Sequence, residues 1–411
     1  MSLTVSEILQ LPGLGELRLR AGERGVQRAA RWYYVAENEG IADWVMGGEL
    51  VFVTGINHPR DEQNLLQLIR EGAQSRIAGI VILTGEAFIR RIPDSVIELA
   101  QSLDMPLIEQ PYLLKMVIVT QLIGTALVRH ENTLRSQRDI LNQLLTGDYP
   151  SLEIASHRAR NLQLRLDAPR RAVALRLSGV PALFDGHQPE AAEAMLQDAR
   201  QAVQRHLDAW SREQEDALPP VIQGELFVLL MPCDDAQFRK GKQQLAALHH
   251  ALRGQLGALT LFIGVSATVS AAHHYGRALS EARQALGVAE SMRAGKGLCD
   301  YSELGVLKLL AAIPDPSLLD GFVKETLGSL VDSHRKHPTM LIETLEALLQ
   351  ENGNTIRAAE QLSIHRNTLN HRLRRIETQS GQSLADPHFR LNASVALLAW
   401  RMADAQRQEL S

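Results

Sequence analysis

The chain has 411 residues, a formal net charge of −4 and 45% hydrophobic residues, which predicts about two to four domains, each able to bury its own core. Aromatic residues make up only 4%, which argues against the stacking platforms that hold single-stranded nucleic acid. The two cysteines, Cys233 and Cys299, are far apart with no partner spacing, so neither a disulfide framework nor a cysteine metal site is expected, and a reducing cytoplasm suits the chain.

The N-terminus MSLTVSEIL lacks the basic start and long apolar core of a signal peptide. Thr4 and Glu7 fit a capping box, so a first helix is expected from Val5 to about Gln10, ended by Pro12-Gly13. Arg31 to Val35 and Leu50 to Val53 read as strands, and Asp61 to Glu71 as a helix. Ile77 to Leu83 is a nearly continuous apolar run, the pattern of a strand buried on both faces. A helix over Pro93 to Leu103 leads to a strand over Leu107 to Glu109, and the alternation predicts an α/β layer with at least partly parallel strands. Ligands of such sheets sit in loops leaving the carboxyl ends of strands. The candidate effector residues are therefore Thr54, Gly55 and Asn57 in one loop and Thr84 and Gly85 in another. No nucleophile elbow, phosphate loop or dinucleotide fingerprint is present, and no cofactor is expected.

From Tyr112 to Leu145 there is no proline and only Gly124, so a long helix is expected. Its longest apolar stretch, Met116 to Val128, contains Thr120, Gln121 and Thr125 and is too short to span a bilayer. Leu127, Leu134 and Leu141 recur at seven, with Ile123 and Leu144 on the alternate seam, while His130 and Gln137 interrupt it. The pattern fits a short coiled coil between two subunits, and equally burial against the chain's own domains. Arg171 to Leu177, Val221-Ile222, Leu226 to Met231 and Thr260 to Val265 read as strands, with helices over 189–210 and 236–252. That order, β-α-β-β-α-β, is the ferredoxin-like plan, followed by a helix over 271–292 and a strand over Leu298 to Tyr301. The pairs His249-His250 and His273-His274 are adjacent in sequence and point about 100° apart on a helix, so no metal site is expected of them.

Helical patterns over Leu307 to Ala312, Leu318 to Leu330 and Thr339 to Leu349, punctuated by Pro314, Pro316 and Pro338, lead to the stretch NGNTIRAAEQLSIHRNTLNHRLRRI. Asn354 or Thr355 can cap a helix on which Ile356, Ala359 and Leu362 recur at helical spacing. Ser363-Ile364-His365 breaks it, and a second helix starts at about Arg366. On that helix Leu369, Leu373 and Ile376 share one sector, opposite Asn367, His371 and Arg374, which Asn370 and Arg375 flank. Arg357, Arg366, Arg372, Arg374 and Arg375 face only Glu360 and Glu377, a local positive excess in an acidic chain. Two short helices, a tight turn and a basic, amide-rich second helix describe a helix-turn-helix reader of double-stranded DNA. Arginine and asparagine can bond base edges bidentately. Arg366, Asn367, Asn370 and His371 are the candidates for base edges, Thr368, Arg372, Arg374 and Arg375 for phosphates, with His365 beside them. Gly381 closes the helix, Asp386-Pro387 starts a last one, and Leu391, Val395, Leu398 and Met402 form its expected apolar stripe.

The segments RWYYVAE, DWVMGGELVFVTG, AGIVILTG and MPLIEQP resemble the N-terminal domain of PucR-type regulators, a sensory module named for purine catabolism. The run from TLEALLQENGN through HRNTLNHRLRRIE to LNASVALL resembles the C-terminal helix-turn-helix of the same family, with His371 where the family commonly has an aromatic residue. The middle segment resembles the family's degenerate GGDEF-like domain. Its central turn reads Ile222-Gln223-Gly224-Glu225-Leu226, without the second glycine and metal-ligand carboxylate of active diguanylate cyclases. The expected fold is multidomain α/β plus α: a sensory α/β domain over 1–111, a connecting helix over 112–150, a ferredoxin-like, non-catalytic domain over 151–305, and a helical region over 306–411 with its DNA-binding core at 352–380. The resemblance implies a cytoplasmic, homodimeric, metabolite-responsive transcriptional regulator, an activator of a catabolic pathway such as that of purines. Two rivals remain from the residues alone: a nucleotide cyclase with a DNA-binding tail, and an effector-independent architectural protein, since the turn also resembles that of the DNA-bending Fis type.

Overall fold

The computed structural model describes residues 2–56, 58–86, 89–214, 216–233, 235–253, 256–292, 297–313, 315–328, 330–331 and 340–409, without the side chains of 235–240, 253, 292, 316 and 403–409. The chain divides into two compact units, Met1–Ser136 and Gln137–Ser411. Asn57, Pro314, Pro338 and Thr339, which figure in the sequence reading, lie outside the described residues.

The first unit is built on a five-stranded sheet of order β2-β7-β6-β5-β4. Its strands are β2 (Arg18–Ala21), β4 (Trp32–Ala36), β5 (Glu49–Val53), β6 (Gly79–Thr84) and β7 (Leu107–Pro111); β1 (Leu3–Thr4) and β3 (Ala29–Ala30) form a separate two-stranded ribbon. Strands β4 to β7 are mutually parallel, as the alternating pattern predicts, and β2 joins β7 antiparallel at the edge. Every residue of β6 is buried. Leu65, Leu68 and Ile69 of α2 (Glu62–Gln74) and Val96 of α3 (Asp94–Ser102) pack on one face with Val51, Val53, Ile80 and Ile82. On the other face Leu50, Phe52, Val81 and Ile108 meet Val5 and Ile8 of α1 (Val5–Leu9) and Val119, Ile123 and Leu127 of α4 (Met116–Thr146). The capping box is present: Thr4 Oγ1 accepts from Glu7 N at 3.1 Å while the Glu7 carboxylate accepts from Thr4 N at 2.7 Å. Asp61 caps α2 by accepting from Asn64 N at 2.8 Å.

The second unit holds a sheet of order β12-β11-β8-β10-β9. Its strands are β8 (Arg170–Ser178), β9 (Val221–Gln223), β10 (Leu226–Pro232), β11 (Thr260–Val265) and β12 (Leu298–Asp300), antiparallel except for the β11–β12 pair. One face is covered by the end of α4, by α5 (Leu152–Asn161) and by α9 (Tyr275–Met292). The other carries α7 (Pro189–Glu213) and α8 (Asp235–Arg253), with the short α6 (Val180–Gly186) before them. A Cβ on Gly264 of β11 would lie 2.1 Å from the Ala282 carbonyl oxygen and 2.3 Å from Leu286 N, so only glycine lets α9 lie this close. Ala285 and Val288 of α9 enter the core of the C-terminal helices, which are α10 (Leu307–Ala311), α11 (Pro316–Leu327), α12 (Met340–Gln350), α13 (Thr355–Gln361), α14 (Arg366–Ser380) and α15 (Pro387–Glu409).

The structure decides between the two readings of α4 and corrects one expectation for α15. Ile123, Leu127, Leu141 and Leu144 are at most 1% exposed within the chain's own cores, and Leu134 is half-buried, so that seam of α4 is not free for a coiled coil with a second subunit. On α15 Leu391 is 61% exposed, and the buried line is Phe389, Ala393, Ala396, Leu397 and Met402. Alanines carry it because they allow close helix packing, which a reading weighted towards leucine and valine shifts sideways.

Candidate nucleic-acid interface

Helices α12, α13 and α14 pack on one another through Leu345, Leu348, Ala358, Ala359, Leu369, Leu373 and Ile376. Asn354 N-caps α13, its Oδ1 accepting from Ile356 N at 3.1 Å and Arg357 N at 3.2 Å. Ser363, in the turn between α13 and α14, adopts φ +54°, the left-handed region that non-glycine residues rarely occupy. His365 N-caps α14: its Nδ1 accepts from Asn367 N at 3.3 Å. Gly381, at φ +69°, ends the helix and donates to the Glu377 carbonyl.

This framing fixes which way α14 faces. Leu369 and Ile376 are fully buried and Leu373 nearly so, while Arg366, Asn367, Thr368, Asn370, His371, Arg374 and Arg375 are all exposed. Asn367, His371 and Arg374 form the middle of that face, four and three residues apart. Thr378, which the sequence reading passes over, continues the same line one turn on; its spacing of four from Arg374 is the signal that would have found it. Arg372 does not join them. It is half-buried and turned towards α12, with Nη1 3.5 Å from Thr344 Oγ1 and Nη2 3.3 Å from Met340 Sδ. Helix α14 carries four arginines and one glutamate, and Glu377 turns its carboxylate back to accept from Leu384 N at 2.9 Å. The exposed face is therefore cationic and amide-rich. Such a face can donate to phosphates and exchange paired hydrogen bonds with base edges in a major groove.

Of the candidate effector residues, Thr54, Gly55, Thr84 and Gly85 lie at the carboxyl edge of the first sheet, just past β5 and at the end of β6, and both threonine hydroxyls are already engaged. Thr54 Oγ1 accepts from Ile56 N at 3.2 Å, and Thr84 Oγ1 donates to Glu109 Oε1 at 2.9 Å. Strand alternation puts them on opposite faces: Thr84 follows Ile80 and Ile82, whereas Thr54 follows Leu50 and Phe52. Gly55 takes φ +71°, and a Cβ on Gly85 would lie 2.7 Å from the Tyr112 Cβ. The sequence reading overlooked Gln110 at the same edge. It is fully buried and donates Nε2–H to the Leu114 carbonyl at 2.8 Å, with no partner for its Oε1 among the described residues. Arg60 also ends there: Nη2 donates to the Ala36 and Asn38 carbonyls at 3.0 and 2.7 Å, and burial pushes its pKa down.

At the β9–β10 turn, where an active cyclase would hold its nucleotide, Gln223 is tied to neighbouring helices. Its Nε2 donates to Asn142 Oδ1 at 2.7 Å and its Oε1 accepts from Arg283 Nη2 at 3.0 Å. Among the described residues no group of three or more His, Cys, Asp or Glu side chains could hold a metal ion, and no helix is long and apolar enough to cross a membrane.

Three family profiles match the chain in series: the purine catabolism regulatory protein-like family over residues 7–127, a GGDEF-like domain over 146–288, and the PucR C-terminal helix-turn-helix domain over 341–399. Among curated proteins, the chain is 29% identical over 160 residues to the DNA-binding transcriptional activator AdeR of Bacillus subtilis, covering 39% of this chain and 38% of that protein. It is 29% identical to the proline-responsive transcriptional activator PutR of the same organism, over 31% of each chain. The purine catabolism regulatory protein of B. subtilis is 28% identical over 26% of this chain and 20% of its own. The matched part thus spans between 20% and 38% of the length of these relatives. A solved structure, the regulator of polyketide synthase expression from Bifidobacterium adolescentis, is similar at 18% identity and a TM-score of 0.26, over 66% of this chain and 99% of that one. With a PucR-type N-terminal segment, a GGDEF-like middle and a PucR helix-turn-helix in that order, the chain belongs to the PucR-type family.

Proposed function

We propose that this chain is a sequence-specific, DNA-binding transcriptional regulator, working in the cytoplasm as a homodimer and responding to a small metabolite. The observation that carries this is the outer face of α14, where Asn367, His371 and Arg374 lie exposed over the buried Leu369, Leu373 and Ile376. Asn367, Asn370, His371 and Arg366 would meet base edges, and Thr368 and Arg375 phosphates. Arg374, assigned to phosphates from the sequence, shares the central line with Asn367 and His371 and belongs with the base readers. Arg372 is left to support the helix, and His365 to start it.

A single reading helix covers only a few base pairs, so two copies about 34 Å apart would occupy a repeated or palindromic site. That need for symmetry is the support for the homodimer. We place the effector at the carboxyl edge of the first sheet, beside Thr54, Gly55, Thr84, Gly85 and the buried Gln110. A nitrogen-rich catabolite such as a purine product is the first candidate, and the ligand would shift DNA binding only by preferring one of two states. The middle domain, ferredoxin-like in its strand order, is read as a non-catalytic relay, because Gln223 is bonded into the fold where a nucleotide would sit. Selection of binding sites from random duplexes by the full chain, with and without candidate metabolites, tests this. An enriched repeated motif whose affinity changes with one metabolite supports it, and sequence-independent binding favours an architectural protein instead.

A further inference from the structure

The first unit's sheet ends on two strands that meet solvent differently. An open strand edge is a row of unpaired amides and carbonyls, which soluble proteins blunt with charge, proline, bulges or shortness. Edge strand β2 is blunted: Arg18 and Arg20 are exposed, and its register with β7 shifts between Leu19 and Ala21. In the second unit's sheet the edge strands β9 and β12 have three residues each. Strand β4, Trp32-Tyr33-Tyr34-Val35-Ala36, has none of these devices. It runs in unbroken register with β5 on its inner side, and the sheet order ends on it.

One bond fixes which way the backbone of β4 faces. Arg31 N donates inward to the Gly48 carbonyl at 2.8 Å. Backbone groups alternate sides along a strand, so those of Tyr33 and Val35 also face β5, and those of Trp32, Tyr34 and Ala36 face out. Of the outward groups, the Ala36 carbonyl accepts from Arg60 Nη2 at 3.0 Å and keeps a second lone pair. Exposed apolar surface flanks this edge. Trp32 is 48% exposed and stacks on Tyr33 with ring centres 5.5 Å apart. Tyr33 in turn reaches α4, where a Cβ on Gly124 would lie 3.8 Å from its Cε1. Val117, Gln121, Gly124 and Val128 share that side of α4, at spacings of four, three and four, and the two valines are 66% and 46% exposed. It is a different side from the buried one that carries Ile123 and Leu127.

We propose that β4 pairs antiparallel with β4 of a second copy of this chain, joining the two sheets edge to edge about a two-fold axis at Tyr34. The inference rests on the homodimer reading above and gives that dimer its interface. A two-fold axis beside one strand permits only an antiparallel partner, in which outward-facing residues bond outward-facing residues. The register centred on Tyr34 is the one that pairs all five residues. It sets Tyr34 opposite the partner's Tyr34, Trp32 opposite the partner's Ala36 and Tyr33 opposite the partner's Val35, with about six backbone hydrogen bonds. Charge selects the same register. Arg31 and Glu37, just before and just after the strand, then come opposite each other at both ends. Both are exposed, and neither is in an ion pair among the described residues. Opposite charges across paired strands stabilise the pairing, and like charges there oppose it. Val117 and Val128 add apolar area beside the joined strands.

Cysteine pairing tests the register directly. Along one strand Arg31 and Glu37 are about 20 Å apart and cannot bridge, whereas across the proposed pair they come within disulfide reach. The full chain carrying Arg31→Cys and Glu37→Cys together is mildly oxidised and run on a non-reducing gel, with each single variant as control. Analytical ultracentrifugation gives the dimer dissociation constant of the unaltered chain and of charge variants in parallel. The expected result is a dimer in solution, a covalent dimer from the double cysteine variant and none from either single one. Arg31→Glu, at an exposed position, should weaken the dimer by about 10-fold or more, and Arg31→Glu with Glu37→Arg should restore it to within a few fold. A dimer that neither crosslinks through the two cysteines nor responds to Arg31→Glu overturns the proposal and leaves the homodimer reading standing. A chain that sediments as a monomer throughout overturns both.

Discussion

Arg372 and Arg374 are two residues apart on one helix, and their fates on truncation should separate cleanly. Arg374 is exposed on the line of Asn367 and His371, so Arg374→Ala removes a side chain that lies in solvent in the free protein. A lost base contact costs about 1–3 kcal/mol, equivalent to about 5- to 150-fold in affinity, and the loss should depend on one base pair. Arg372 offers the reverse. Its Thr344 contact, at 3.5 Å, is at the outer limit of a hydrogen bond, and its other partner is a thioether at 3.3 Å. Neither partner is a carboxylate, so Arg372→Ala should cost roughly 1 kcal/mol of stability or less. Its effect on DNA affinity should stay within a few fold. The assay is fluorescence anisotropy of the full chain on a selected duplex at several salt concentrations, with thermal unfolding of each variant alongside. Neutralising one phosphate contact lowers the log–log salt slope by about 0.9, whereas losing a base contact leaves it unchanged. If Arg372→Ala weakened binding as strongly as Arg374→Ala, with an unchanged slope and melting temperature, the orientation of α14 described above would be wrong.

Other consequences are quicker to check. Leu369→Ala, at a fully buried position beneath the reading face, should destabilise the helical region by about 2–5 kcal/mol in chemical denaturation. Ser363→Gly should raise stability by up to about 1 kcal/mol, because it relieves a left-handed residue at φ +54°; a lower melting temperature would mean that the serine side chain matters more than the strain. Gly264→Ala should cost about 1–3 kcal/mol or more, since its Cβ would meet the backbone of α9 rather than a yielding side chain. Glu71 supplies a pH dependence. Burial raises its carboxyl pKa, but bonds from Gln67 and from the Ile41 and Ala42 amides together outweigh that and hold it below 4.5. A lowered carboxylate pKa gives stability that is present above the unfolded value and is lost as pH falls through the folded one. Stability of the first unit should therefore decline below about pH 4.5, and Glu71→Gln should flatten that decline.

Much of this organisation was legible because period and punctuation agreed locally. Asp61, Asn354 and Gly381 mark helix ends by capping chemistry, and Leu369, Leu373 and Ile376 mark the buried side of α14 by spacing alone. What escaped depended on distant partners. Strand β2 leaves Arg18 and Arg20 exposed, while Leu19 packs into the core on one face and Ala21, past a shift of register, into the core on the other, and it exists only because β7 offers an edge. The leucines of α4 could equally have faced a second subunit, and only their burial against separate cores decides between the readings. Arg372 looked like its arginine neighbours, and the turn of its side chain towards Thr344 is a tertiary fact. At the first sheet's edge the spacing pointed to Thr54 and Thr84, yet it could not reveal that both hydroxyls were engaged or that Gln110 was buried beside them.

The central claim is that the exposed line on α14 chooses the DNA sequence. Selection from random duplexes by the full chain and by Asn367→Ala and Arg374→Ala variants tests it most directly. The account predicts one enriched motif of two half-sites about 10–10.5 base pairs apart, with preference relaxed at different positions by each variant. An identical motif from all three proteins, or no enrichment by the unaltered chain, would contradict it.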